Sequence, residues 1–285
     1  MPIHQAALHD IHYAILGDEV RIAYVEKGRG DRVLLFIHGL GSNFKGWSKL
    51  VEDLKNDFRC IAIDLPGYGY SDKKDYPFGI PFFSRQIIHF IQALGLRDVY
   101  LVGHSMGGQI AVDAVLKAPE LFRKLILLAP AGFEVFNDTD RQWVQQLYQP
   151  QVIKGISTTQ IKLNFKANFY HFPKEAHFMI EDRLHLRKQG DYDYFCRMIS
   201  ACVSGMLATP VFDRLEQLTL PTLAVYGEKD QLIPNKFLHP TWTTRKVAEA
   251  GTAQIPGSQL HLIPKCGHFV PWEGHKQVAA WVLAY

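Results

Sequence analysis

The stretch "GHSMGG" at residues 103–108 follows the apolar run "DVYLV" and leads into "QIAVDAVLKA". An extended segment therefore passes into a helical one through a turn rich in glycine. Glycines mark tight turns, so Ser105 is either turn filler or a side chain lifted out for chemistry. A nucleophile at such a junction needs a sharp, strained backbone. Gly103 and Gly107 supply room for one, because neither carries a Cβ atom that could collide. A helix beginning at Ser105 also aims its first N–H groups at developing negative charge. With a strand before it and a helix after it, Gly-x-Ser-x-Gly has the context a nucleophile requires. Ser105 is read as the nucleophile.

The flanking chain repeats the same alternation. "RVLLFIHG" and "FRCIAIDLPG" are continuous apolar runs, as expected of strands buried on both faces. Between them "NFKGWSKLVEDLKN" has helical spacing, and "PFFSRQIIHFIQALG" reads as a helix with Pro81 near its start and Gly95 at its end. "FRKLILLAP" is a further strand, and "IHYAIL" and "EVRIAYVEKG" are two strands joined at Gly17-Asp18 as a hairpin. This predicts an α/β domain with a mostly parallel sheet and helices on both faces.

From about residue 131 to 216 the rhythm stops. "TDRQWVQQLY", "STTQIKLNFKANFYHF", "PKEAHFMIEDRLHLRK" and "YDYFCRMISACVSGML" all read as helices, with Ser157 and Gln160 at capping-box spacing and Pro173 suited to a first turn. The alternation resumes with "LPTLAVYGEKD", a helix near 236–249, the strand "SQLHLIP" and a last helix over "HKQVAAWVLAY". The expected division is thus a core of residues 1–130 and 217–285, interrupted by a helical insertion over 131–216.

Composition bounds the function classes. The 285 residues are 47% hydrophobic and 21% charged, with a net charge of +3, which is ordinary for a globular protein. No run of five like charges suggests a nucleic-acid surface. No segment approaches eighteen consecutive apolar residues, and the N-terminus lacks the pattern of a signal peptide, so neither a membrane span nor secretion is expected. Cys60, Cys196, Cys202 and Cys266 are scattered, which suits free thiols in the cytoplasm. "HFPKEAH" is not a zinc-ligand spacing, "GYG" at 67–69 is not a dinucleotide fingerprint, and no Gly-Lys-Ser/Thr follows the glycines at 103–108. Neither a metal nor a cofactor is expected; the partner is a small-molecule substrate, and oligomeric state is left open.

A serine hydroxyl needs a base, and the base needs an orienting acid. Among thirteen histidines, His268 lies between Gly267 and Phe269 on the loop after the last strand, where it can reach the strand ends. His104 should point away as the backbone turns, His38 should brace a loop, and His4, His9 and His12 should be solvated. Asp230 follows the strand "LAVYGEK", with Glu228 two residues away.

Five segments, "HGLGSN" at 38–43, "DLPGYGYSD" at 64–72, "GHSMGG", "YGEKDQLIP" and "CGHFVPWE", together resemble the α/β-hydrolase superfamily. The resemblance covers nearly the whole chain and is weakest in the insertion. It implies an eight-stranded, mostly parallel sheet with an inserted helical cap, and a triad of Ser105, Asp230 and His268. Some relatives carry the acid after the preceding strand, where Glu134 lies. The oxyanion-hole donors fall on the backbone N–H groups of Leu40 and Met106. Asp64 and Ser71 are expected to hold their loop. Carbon–carbon bond hydrolases of ring-cleavage products usually have asparagine before the serine and tryptophan after the histidine; here those residues are His104 and Phe269. The expected function is a serine hydrolase of carboxylic esters with small to medium, largely uncharged acyl groups, since the insertion holds thirteen aromatic residues and no arginine cluster. Alternatives are a small-molecule receptor with residual hydrolysis and a carbon–carbon bond hydrolase.

Overall fold

The computed structural model describes residues 4, 10–17 and 19–285. Within them the expected strands form. They are β1 (His12–Ile15), β2 (Arg21–Lys27), β3 (Val33–Ile37), β4 (Arg59–Ile63), β5 (Val99–His104), β6 (Phe122–Leu128), β7 (Thr222–Gly227) and β8 (Gln259–Ile263). They make one eight-stranded sheet in the order β1-β2-β4-β3-β5-β6-β7-β8. Only β2 runs against its neighbours, pairing antiparallel with both β1 and β4. The other pairings are parallel. β1 and β2 are antiparallel neighbours as expected of a hairpin, while Asp18 in the expected turn, and His9, lie outside the described residues.

The strands that read as unbroken apolar runs are the central ones. Every residue of β3 and of β7 is buried, because helices cover both faces of a parallel sheet. α1 (Ser48–Leu54) packs along α11 (His275–Ala284), and α2 (Ile80–Ala93) along α3 (Met106–Lys117). α2 has Pro81 in its first turn, and Gly95 beyond its end adopts φ +61, which only glycine takes without strain.

Between β6 and β7 come five helices: α4 (Asp138–Leu147), α5 (Pro150–Gly155), α6 (Thr158–Lys166), α7 (His177–Lys188) and α8 (Tyr192–Ala208). One more helix forms here than the four expected, because Pro150 opens α5 separately from α4. Ser157 caps α6 by accepting from the Gln160 N–H at 3.1 Å. α6 stops at Lys166, so "ANFYHF" is not helical as expected; its backbone turns toward the end of β8 instead. Pro173 precedes a short 3₁₀ turn, and α7 starts only at His177. The helix expected near 236–249 is displaced to α9 (Thr244–Ala253). Pro240 accounts for this, since it disfavours helical backbone at His239. α10 (Val270–Glu273) is a single turn between β8 and α11.

One other expectation shifts. His4 is not solvated: its ring stacks on Phe178 at 5.1 Å, and its N–H donates to the Ser48 hydroxyl. Cys60, Cys196, Cys202 and Cys266 are free and buried. No helix of the described residues is long and apolar enough to cross a membrane.

Where the chain re-enters the sheet after the five helices, Arg214 donates to Asp113 of α3 at 2.8 Å, and Lys117 holds the other carboxylate oxygen at 2.6 Å. The Asp113 side chain is only 3% exposed. Burial raises its pKa, but hydrogen bonds from Lys117, Ser84 and Arg214 outweigh that and hold it below the usual carboxylate range. Asp113→Ala removes the centre of this network. It should cost about 3 kcal/mol in chemical denaturation, and a loss below about 0.5 kcal/mol would mean the network is replaceable by water.

Candidate active site

Ser105 sits at φ 54 and ψ −120 between β5 and α3. This left-handed conformation is strained for any residue with a Cβ. The glycines around it explain how it is tolerated. A Cβ on Gly103 would lie 2.4 Å from the Gly107 carbonyl oxygen, and one on Gly107 would lie 2.2 Å from that of Ile37. The start of α3 is thus pressed directly onto β5 and the end of β3. Hydrogen bonds fix the turn from both sides: the Ser105 N–H donates to Leu128, and its carbonyl accepts from Gly108 and Ala131.

Two more strand ends converge here. The Asp230 carboxylate, on the loop after β7, lies with Oδ2 2.7 Å from His268 Nδ1, on the loop after β8. Its other oxygen accepts from the Leu232 and Ile233 N–H groups at 2.7 and 3.0 Å. Both side chains are buried, at 0% and 4% exposure. The carboxylate oxygen accepts, so Nδ1 carries the proton and Nε2 keeps its lone pair. Glu134, the other candidate acid, is engaged elsewhere: it accepts from the Asn235 N–H and pairs with His239. Glu228 pairs with Arg245 at the surface.

The third strand end is the loop after β3. An added Cβ at Gly39 would lie 2.9 Å from the Ser105 Cβ, so this backbone runs against the serine. Leu40 follows it, half-buried, and Met106 is the fully buried first residue of α3. His38 braces the loop as expected. Its Nε2 accepts from the Leu65 N–H at 3.0 Å, so Nδ1 is the protonated nitrogen facing the Gly39 carbonyl at 2.9 Å. Burial pushes its pKa down to about 4. Asp64 holds the crossing loop, accepting from Phe44 and Tyr70 N–H groups at 2.7 and 2.8 Å. Burial raises it to about 6. The Ser71 hydroxyl donates to the Asp64 carbonyl at 2.6 Å and accepts from Ala23 N–H at 2.8 Å.

His104 has a partner the sequence does not reveal. Its Nε2 donates to the His268 carbonyl at 2.9 Å. Burial, and next the adjacent His268 ring, hold its pKa well below the usual range. Sequence reading also misses Arg183 of α7. This guanidinium donates to the Gly41 carbonyl at 2.6 Å and lies 4.1 Å from the Phe195 ring centroid. Burial pushes its pKa down to about 10. Among the described residues, no carboxylate is paired with it. A lone arginine on a helix carries no motif, so only the folded arrangement brings it to the Gly41 loop.

Against this geometry, the family model described as "alpha/beta hydrolase fold" matches residues 32–275. The chain belongs to this family. It is 26% identical to a 2-hydroxy-6-oxononadienedioate/2-hydroxy-6-oxononatrienedioate hydrolase of Burkholderia vietnamiensis, over 94% of this chain and 92% of that one. It is 28% identical to a 2-hydroxy-6-oxo-6-phenylhexa-2,4-dienoate hydrolase of Burkholderia cepacia, over 89% and 86%. The fold superposes on an esterase from Exiguobacterium antarcticum with TM-score 0.79 and 22% identity, covering 96% of this chain and 98% of that one. The match is thus to a hydrolase family of the α/β fold.

The buried groups predict a pH dependence of stability. His38 has a folded pKa of about 4, below the ordinary 6.5, so the stability it contributes is present above pH ~6.5 and lost as pH falls toward 4. His104 acts in the same direction. Asp64, raised from 3.8 to about 6, binds its proton more tightly when folded and offsets part of the loss in that range. Thermal unfolding should show Tm falling from pH ~6.5 to ~5, and falling more steeply in Asp64→Asn. A Tm that rises on acidification would contradict this.

Proposed function

We propose that the chain is a cofactor-independent serine hydrolase working through an acyl-enzyme. Ser105 is the nucleophile, His268 its base and then its acid, Asp230 the orienting carboxylate, and the Leu40 and Met106 N–H groups the oxyanion donors. The observation that carries this reading is the buried 2.7 Å pair of Asp230 and His268 on strand-end loops beside a serine held at φ 54.

In the proposed cycle, His268 Nε2 takes the Ser105 proton as Oγ adds to the acyl carbon. The carbonyl oxygen becomes an oxyanion facing the two backbone donors. Collapse expels the leaving group, which receives that proton from His268. A water molecule, deprotonated by His268, then adds to the acyl carbon and releases the acid, returning the proton to Ser105. In this reading residues 131–216 are the cap over the site, and those of their aromatic side chains that do not pack into the core give it an apolar wall. The ester reading is supported by the thirteen aromatic residues of that segment, its lack of an arginine cluster and the fold shared with an esterase.

Arg183 supports a second reading. A guanidinium on the oxyanion loop, unpaired with any described carboxylate, suits a substrate that brings its own acid group. The relatives named for dienoate and dienedioate cleavage make a carbon–carbon bond the alternative scissile bond.

A fluorophosphonate should label each chain once, at Ser105, and abolish turnover; complete inactivation with the label on another serine would refute the assignment. Asp230→Asn should lower kcat by on the order of 10⁴-fold, whereas a negligible effect there with a large one in Glu134→Gln would move the acid to Glu134. Short p-nitrophenyl esters, acetate to about hexanoate, should exceed palmitate and acyl-CoA in kcat/KM. A burst without steady turnover would favour the receptor reading. Turnover of a 2-hydroxy-6-oxodienoate far above that of any ester, and sensitive to Arg183→Gln, would favour carbon–carbon cleavage.

A further inference from the structure

Two peptide groups of the loop carrying His268, those of Gly267 and Phe269, are gripped from or through the insertion. The Gly267 N–H donates to Glu273 Oε2 at 2.8 Å. The same oxygen accepts from the Tyr170 N–H at 2.8 Å, and Oε1 accepts from the His171 N–H at 2.7 Å. The Phe269 N–H donates to the Asn168 carbonyl at 2.7 Å. One carboxylate thus ties the base's loop to the segment between α6 and α7.

Packing reinforces this tie. Phe169, Phe269, Trp272 and Ala176 form a buried apolar cluster separate from the main core. Phe169 and Phe269 stack at 5.2 Å. Gly267 is pressed so close to the segment that a Cβ there would lie 2.7 Å from the Tyr170 nitrogen. From the other side, Trp272 donates its indole N–H to the Gly46 carbonyl at 2.7 Å, fixing α10 to the loop region after β3.

We propose that Glu273 is a positioning residue for the base. By accepting from Gly267, Tyr170 and His171 at once, it holds the His268 loop against residues 168–172, so that His268 is placed for proton transfer only with that segment docked. This rests on the Ser105–Asp230–His268 reading. Segment 168–172 is then a fixed wall of the site and no moving lid. The carboxylate suits the task because charge-assisted bonds to backbone N–H groups are strong, and two oxygens can serve three donors. Glutamine keeps one acceptor oxygen but turns an NH₂ group toward one of those donors.

The test is a mutant cycle on the full chain with p-nitrophenyl acetate as probe. Glu273→Ala should lower kcat on the order of 10–100-fold with KM little changed, and Glu273→Gln should fall between it and the parent. In a His268→Ala background, Glu273→Ala should cost nothing further, because it acts only through the base. Equal fold-losses in both backgrounds, or a Glu273→Ala kcat within about twofold of the parent, would overturn the proposal. If Glu273→Ala fails to fold, Glu273→Gln in the same cycle carries the same two outcomes. A His268→Ala variant as active as the parent would instead overturn the underlying triad reading.

Discussion

The backbone of Ser105, held at φ 54 and ψ −120, is the constraint on which the site's geometry depends. A serine does not adopt that conformation unaided, and it persists only where neighbours over-determine it. Here they do so by close approach. α3 sits so near β3 and β5 that Gly103 and Gly107 have room for no side chain at all. The buried helix and the apolar central strands supply the packing that offsets the strain. The turn lifts the serine to the edge where the loops after β3, β7 and β8 also end.

Those loops are long and irregular, yet each has a tether to the five inserted helices or their connections. Arg183 of α7 donates to Gly41 in the loop after β3. Glu134, just before α4, accepts from Asn235 in the loop after β7, and its partner His239 stacks on Trp242. Asn168 accepts from Phe269 in the loop after β8, and Glu273 accepts from both sides of the same junction. The insertion therefore contacts all three loops. Its polar contacts fall on the three loops that carry the proposed donors, acid and base, where small displacements matter most to rate.

The sheet was legible because parallel strands buried on both faces read as unbroken apolar runs, as in "VLLFI" and "TLAVYG". The strained turn at Ser105 was legible because it writes itself as glycines. The Asp230–His268 contact came from chain order and family resemblance; spacing alone could not separate Asp230 from Glu134, since both follow neighbouring strands. The end of α6 is not legible because "ANFYHF" has no proline or glycine to stop a helix; tertiary hydrogen bonds to Glu273 and Phe269 compete for its backbone. The roles of His104, Arg183 and Glu273 were invisible for the same reason. Each bonds a main-chain group distant in sequence, and main-chain partners leave no residue-type signature.

The central claim is that Ser105 attacks an acyl carbon whose oxygen is received by the Leu40 and Met106 N–H groups while His268 holds the proton. A crystal structure with a bound aryl trifluoromethyl ketone tests this most directly, since a serine hydroxyl adds to its unhydrated, electron-poor carbonyl and gives a stable hemiketal that mimics the tetrahedral intermediate. The account predicts a covalent bond to Ser105 Oγ, the hemiketal oxygen within about 3 Å of both backbone nitrogens, and His268 Nε2 within hydrogen-bond reach of Oγ. An adduct on another residue, or one on Ser105 with its oxygen turned away from both nitrogens, would contradict it.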